Sequence, residues 1–240
     1  MKRQSIIFPK VGNTQNECED YLMADEQNMR FAVSDGASDS VFSGLWARCL
    51  VDTFSQYGNL TGNPDEIINK IYRNSINLWH DKIEWNNLKW NVKNKSVLGS
   101  YATFIGMEIK KTEKNYRVSC IAVGDSCAFI RTNKRLESFP IKDVSGFGLH
   151  PDLLWSGHGE PIFDDSPLEI PDYEMKNYTV EPGSKILLAS DAASKWIMEG
   201  GARRIDELSS FLNPEQSYWD NLRINGEIKN DDISIITIEI

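Results

Sequence analysis

The sequence predicts an α+β fold built in layers, and three observations predict it. Apolar strand-like runs come in groups, pairs of helical segments bridge the groups, and no Pro-rich, Gly/Ser-rich or like-charge stretch splits the chain. Strand runs bridged by helix pairs favour packed layers of sheet and helix over a βαβ alternation. At 240 residues the chain is long enough to bury a sizeable core, and it reads as a single domain over 1–240.

The elements follow in order. Residues 30–34 (RFAVS) form a buried strand that runs into the turn signal Asp35-Gly36. Val41, Leu45, Cys49, Leu50 and Phe54 recur at helical spacing. A second helix starts at Asn63-Pro64-Asp65-Glu66, which gives a capping Asn, Pro at the first helical position and acids in the first turn. Ile67, Ile68, Ile71, Leu78 and Trp79 supply its apolar stripe. Strands return at 101–109, 116–123 and 128–131, and Gly124-Asp125-Ser126 reads as a tight turn joining the last two as a hairpin. Residues 143–172 are rich in Gly, Pro, Asp and His, a loop long enough to be functional or mobile. A strand at 185–190 (KILLAS) ends at Asp191, short helices fill 192–222, and Asp231-Asp232 leads a terminal strand at 233–240.

Composition bounds the function. A hydrophobic content of 40% with 25% charged residues fits a globular chain. No apolar run approaches the ~18–20 residues of a membrane span, and the N-terminal apolar stretch, Ile6 to Phe8, is too short for a secretory segment. With 26 basic against 35 acidic side chains the net charge is −9, which disfavours nucleic acid and anionic membranes as partners. Cys18, Cys49, Cys120 and Cys127 show no CxxC spacing, so the expectation is free thiols in a reducing cytoplasm.

The chemistry-bearing signal is a set of acids at strand boundaries: Glu19-Asp20 before Tyr21-Leu22-Met23, Asp35, Asp191, Asp231-Asp232, and Asp125 in its turn. Singly, each has an ordinary explanation as a turn, a helix cap or a solvated strand end. Brought together, such carboxylates cannot all stay ionised without compensation. Metal ions supply that compensation, and an all-oxygen set without His or Cys selects Mg²⁺ or Mn²⁺ over Zn²⁺.

The stretches NECEDYLMAD (16–25), FAVSDGAS (31–38), GSYATFIGMEI (99–109), IAVGDSCAFI (121–130), ILLASDAAS (186–194) and NDDISIITIEI (230–240) resemble the metal-dependent PPM-type (PP2C-like) Ser/Thr protein phosphatases, in a bacterial-type form. The resemblance implies a four-layer α-β-β-α sandwich, with two mostly antiparallel central sheets flanked by helix pairs. It implies two Mn²⁺ or Mg²⁺ ions at one end of the sheets. Asp35 would bridge both, the Gly36 carbonyl would bind one, Asp191 and Asp231 the other, and Glu19 and Asp20 would hold the first directly or through water. Asp125 would contribute to a weak third metal, and Asp232, where the family has Asn, would act behind the ligands. The implied reaction is hydrolysis of phosphoserine and phosphothreonine in proteins by a metal-bridged hydroxide, within signalling opposite a cognate Ser/Thr kinase.

Three positions depart from the family pattern. Its phosphate-holding Arg is Gln15 here, with Lys10 or Arg3 as basic alternatives. The acid that helps the third metal is Lys195, one helical turn past Asp191; its ammonium either replaces that cation, pairing with Asp125 or substrate phosphate, or faces solvent. The His that follows the DG pair is Ala37, which leaves His150 and His158 in the long loop as leaving-group candidates, while His80 reads as structural. Trp79 belongs to the helix stripe, and Trp85 and Trp90, past the expected helix end, would form a docking patch if exposed. Gln15 and Lys195 also feed an alternative function, a catalytically weak relative that binds a phosphoprotein or kinase.

Overall fold

A computed structural model describes residues 1–148, 151–157, 161–162, 168–210 and 215–240. Two five-stranded antiparallel sheets lie face to face. In the first, β1 (Lys2–Phe8), β12 (Ile233–Glu239), β11 (Lys185–Ala189), β7 (Cys127–Arg131) and β8 (Leu136–Phe139) are neighbours in that order. The second runs β10 (Glu174–Val180), β6 (Tyr116–Val123), β5 (Phe104–Lys111), β3 (Arg30–Asp35), β2 (Asp20–Asp25). A short pair, β4 (Tyr101–Ala102) and β9 (Leu154–Trp155), stands beside them.

Helices cover both outer faces. α1 (Ser43–Tyr57) and α2 (Pro64–Lys82) pack on the second sheet, where Trp46, Leu50, Phe54, Ile71 and Trp79 meet Ala32, Phe104 and Ile121. α4 (Asp191–Gly200), α5 (Ala202–Ser210) and α6 (Gln216–Ile224) pack on the first, where Trp196, Ile205 and Trp219 meet Phe129, Leu187 and Ile235. Between the sheets lies a separate core of Phe31, Val33, Met107, Ile130, Leu188 and Ile236. This is the four-layer α-β-β-α sandwich that the sequence resemblance implies.

Strand periodicity explains why these segments read as continuous apolar runs. Along β11, Ile186 and Leu188 enter the inter-sheet core while Leu187 and Ala189 face the helices. Successive side chains point to opposite faces, and here both faces are buried, so the usual apolar/polar alternation is absent. The helix signals read true. Asn63 caps α2, its side chain accepting from the Asp65 amide at 2.9 Å, with Pro64 opening the helix.

Four expectations need correction. Gly124-Asp125-Ser126 does not close a hairpin: β6 pairs with β5 and β10, β7 with β11 and β8, so this turn carries the chain from one sheet to the other. The expected strand 101–109 is two elements, β4 and β5, parted at Thr103. Short α3 (Trp90–Ser96) follows α2, so Trp90 lies on a further helix. Trp85 is half-buried against Trp79 and stacked on His80, which gives His80 a packing role; only Trp90, 77% exposed, stands in solvent. β1 and β10, polar edge strands, were not anticipated. All four cysteines are free. Among the described residues no helix is long and apolar enough to cross a membrane.

Candidate active site

Register brings the acids together. In the β2–β3 hairpin Asp20 stands directly opposite Asp35, at the end of the second sheet. On the first sheet β11 pairs with β12 so that Ala189 faces Ile235, which places Asp191 and the Asp231-Asp232 pair at the matching end. Ser190 N donates to Ser234 O at 3.0 Å, and Ser190 Oγ accepts from Ser234 N at 3.1 Å, tying the two termini. Asp191 opens α4, where a carboxylate is favoured by the helix N-terminus.

Asp232 joins the sheets. Its Oδ1 accepts from the Lys10 amide and its Oδ2 from the Glu19 amide, both at 2.7 Å. Its oxygens are therefore spent on backbone. Glu19 is held from three sides: Lys10 Nζ at 3.1 Å, Ser43 Oγ at 2.7 Å, and Ser38 Oγ. Lys10 Nζ also donates to Ser38 Oγ at 3.0 Å. Burial works against the Lys10 charge, but contact with Glu19 outweighs it and holds its pKa above the ordinary value.

Gly36 sits where no other residue fits. A Cβ there would meet the Ser43 backbone at 2.7 Å and Glu19 O at 2.9 Å, and its amide donates to Glu19 O at 3.2 Å. The loop is pinned beyond it too, with Thr103 N donating to Asp35 O at 2.9 Å and Ala37 N to Tyr101 O at 2.8 Å. Gly124, at φ +89°, lets the crossing turn pass close to Thr103, where a Cβ would be 2.8 Å from a methyl carbon. That close passage sets buried Asp125 beside the cleft.

The electrostatics are those of an under-compensated cluster. Asp20 is buried, and neither carboxylate oxygen has a partner within hydrogen-bond distance, although the Ser190 and Ser234 hydroxyls lie near enough to favour its charged form. Burial, then Asp232, push its pKa far up. Desolvation, then Asp20, Asp191 and Asp231, push Asp35 up as well. Burial and Asp191 raise Asp125 to about 6. A buried carboxylate with no donor is unfavourable, and a hard divalent cation satisfies such an oxygen set. The residues present therefore fit Mn²⁺ or Mg²⁺. Among the described residues, however, no group of three or more His, Cys, Asp or Glu closes into a ready-made metal cage.

One cation is already there, and sequence reading missed it. Lys229 Nζ stands 2.5 Å from Asp231 Oδ2 and 3.6 Å from Asp191 Oδ2. Partial burial opposes its charge, but Asp231 and Asp191 outweigh that and raise its pKa. Arg223 was missed too: its buried guanidinium donates to Asp231 O at 2.7 Å and pairs with Asp220 at 2.8 Å, bracing the loop before β12. A cleft of about 640 Å³ opens beside these groups, lined in part by Asp125, Asp191, Lys195, Arg223 and Lys229. Lys195 is exposed there and forms no ion pair with Asp125 or Asp191, while Gln15 is exposed on a short turn (Gln15–Glu17). His150 and His158 lie outside the described residues.

This is the fold of the PPM-type, PP2C-like Ser/Thr phosphatases. Similar solved structures include the serine/threonine phosphatase PstP/Ppp of Mycobacterium tuberculosis, 12% identical with a TM-score of 0.63, the match covering 100% of this chain and 98% of that one. The PPM Ser-Thr phosphatase MsPP of Mycobacterium smegmatis, in complex with cacodylate, is 13% identical at TM-score 0.62, again covering 100% and 98%. The catalytic domain of PstP in complex with two manganese ions is 14% identical at TM-score 0.59, covering 99% and 97%. No family model and no curated protein matches the sequence.

Proposed function

We propose that this chain is a Mn²⁺- or Mg²⁺-dependent phosphomonoester hydrolase acting on phosphoserine and phosphothreonine in proteins. The observation that carries the reading is Asp20: a buried carboxylate without a donor within hydrogen-bond distance, facing Asp35 where two sheets of a phosphatase-type fold converge. In this reading Asp35, the Gly36 carbonyl, Glu19 and Asp20 hold one ion, Asp35, Asp191 and Asp231 the other, and Asp125 serves a weaker third. Bound ions of this kind acidify water and neutralise phosphoryl oxygens.

The chain's own residues do the rest. Asp232 fixes the backbone at Lys10 and Glu19. Lys10 and Ser43 hold the Glu19 carboxylate in one orientation, and Arg223 braces the Asp231 carbonyl. Lys195, exposed in the cleft, and Lys10 at the other edge supply positive charge toward substrate phosphate; neither matches the bidentate fork an Arg in place of Gln15 would give. The partners are a phosphorylated protein and the kinase that opposes it in signalling. Four free thiols support a reducing, cytoplasmic setting.

A second reading, a phosphoprotein-binding relative with weak or no turnover, is favoured by Gln15 and by Lys229 lying across Asp191 and Asp231. The deciding experiment is para-nitrophenyl phosphate hydrolysis with Mn²⁺, Mg²⁺, Ca²⁺ or EDTA. Metal-dependent turnover that Asp35→Asn reduces at least about 100-fold supports the hydrolase. No turnover from folded protein with any metal selects the binding reading.

A further inference from the structure

The loop after Asp35 is sewn to the segment after α3. Ala37 N donates to Tyr101 O at 2.8 Å, Tyr101 N donates to Ser40 Oγ at 3.2 Å, and Ser100 Oγ donates to Val41 O. Between these segments and β9 lies a groove of about 760 Å³ that begins at Ala37 and has Val41, Leu98, Tyr101 and Trp155 as apolar lining, with Lys95 and Asp39 as its charged members. The wall is fixed: Trp155 Nε1 donates to Leu98 O at 2.9 Å, and the Tyr101 and Trp155 rings stack at 6.5 Å and 22°.

Two features of the surrounding surface are unusual for this chain. Of the eight large apolar residues exposed among the described residues, four (Trp90, Val97, Leu98 and Tyr101) fall within residues 90–101. The same stretch is basic in a chain of net charge −9: no Asp or Glu occurs from 85 to 107. Lys89, Lys93 and Lys95 are exposed on or beside α3, and no ion pair engages them among the described residues. Concentrated exposed apolar surface marks a binding site, and an unpaired positive patch selects an acidic partner and speeds its encounter.

We propose that this groove docks the segment flanking the phosphorylated residue of a protein substrate. The segment it fits carries an apolar or aromatic residue near the phosphate and acidic residues further out. The apolar residue covers Leu98 and Tyr101. The acids lie along α3, because Lys95 lines the groove and Lys89 and Lys93 extend the charge away from it. Asp39, inside the groove, repels acids placed immediately beside the phosphate. The proposal rests on the phosphatase reading above and names its substrate class.

The test compares kcat/KM for two phosphothreonine peptides, one with a nearby Leu and distal glutamates, the other with Ala and Ser in their place, with para-nitrophenyl phosphate as a substrate too small to dock. The native chain prefers the acidic peptide by roughly tenfold or more. Preference shrinks as NaCl rises from about 50 to about 500 mM. It is largely lost in Lys89→Glu/Lys93→Glu/Lys95→Glu and, separately, in Leu98→Asp, with small-substrate turnover unchanged. Equal rates on the two peptides, or preference intact in both variants, overturns the proposal. If the small substrate is not turned over, it is the phosphatase reading that fails. The groove is then decided by fluorescence anisotropy of the labelled acidic peptide in EDTA: binding abolished by the triple substitution supports it, and no binding overturns it. Sedimentation showing a dimer that Leu98→Asp disperses assigns the groove to a second copy of the chain and also overturns the proposal.

Discussion

The two sheets contribute unequal halves to the acidic cluster. On the first sheet, Asp191 and Asp231 share the Lys229 ammonium, and Arg223 braces the backbone behind them. On the second, Asp20 and Asp35 face each other with no ion pair among the described residues, and Asp20 has no hydrogen-bond partner closer than the nearby Ser190 and Ser234 hydroxyls. One half is neutralised by the protein itself, while the other can be neutralised only by protons or by an added cation. In the proposed reading, the Asp20–Asp35 half is therefore where a metal ion would be needed most, and the Lys229 half is where a resident charge would compete with it.

That asymmetry can be broken or sharpened. The largest effect is on stability against pH in chelator. Asp125 and Asp20 have folded pKa values raised to about 6 and about 8 from an ordinary 3.8. The folded state then binds more protons than the unfolded state above pH ~4, so stability falls as pH rises through that window. Thermal scans in EDTA should show a Tm that declines from pH 5 to about 8, with the decline removed by Mn²⁺; a Tm flat in pH would show the cluster to be compensated already. Next, Asp20→Asn removes a carboxyl that must either take up a proton or stay charged in the fold. It should stabilise the metal-free chain by ~1–3 kcal/mol in urea titrations while shrinking the Tm rise that Mn²⁺ gives. Lys229→Met acts on the other half. Because that side chain is 65% exposed, the metal-free chain should lose under about 1 kcal/mol, and calorimetric titration should show divalent ions binding a few-fold more tightly. Smallest is Lys195→Ala. With no ion pair to lose among the described residues, it should raise KM a few-fold and leave the Mn²⁺ requirement unchanged; a shifted metal requirement would place its ammonium among the cations of the site.

Legibility followed the same division. Asp20, Asp35, Asp191 and Asp231 could be singled out because each abuts an apolar run, and strand ends gather at the edges of sheets. Lys229 and Arg223 could not. A lysine two residues from an aspartate reads as surface charge, and Arg223, within α6, gives no sign that it reaches back to Asp231 O. The Gly124-Asp125-Ser126 turn misled for a related reason. A hairpin turn and a sheet-to-sheet crossing have the same local chemistry, and only the partners of β6 and β7 distinguish them. β1 and β10 escaped notice as edge strands, since LysArgGlnSer and an exposed GluMetLysAsn carry no buried-strand pattern.

The two hydrogen bonds that Asp232 accepts from the amides of Lys10 and Glu19 have a mechanical consequence. Together with polar contacts such as Arg3 to Ala24 O at 3.4 Å and Lys176 to Glu137 at 3.1 Å, they align two plates that each bear half of the carboxylates. Sliding one plate along the other would leave its own hydrogen-bond ladders intact and still separate Asp35 from Asp191. The site is thus a vernier for the alignment of the two sheets.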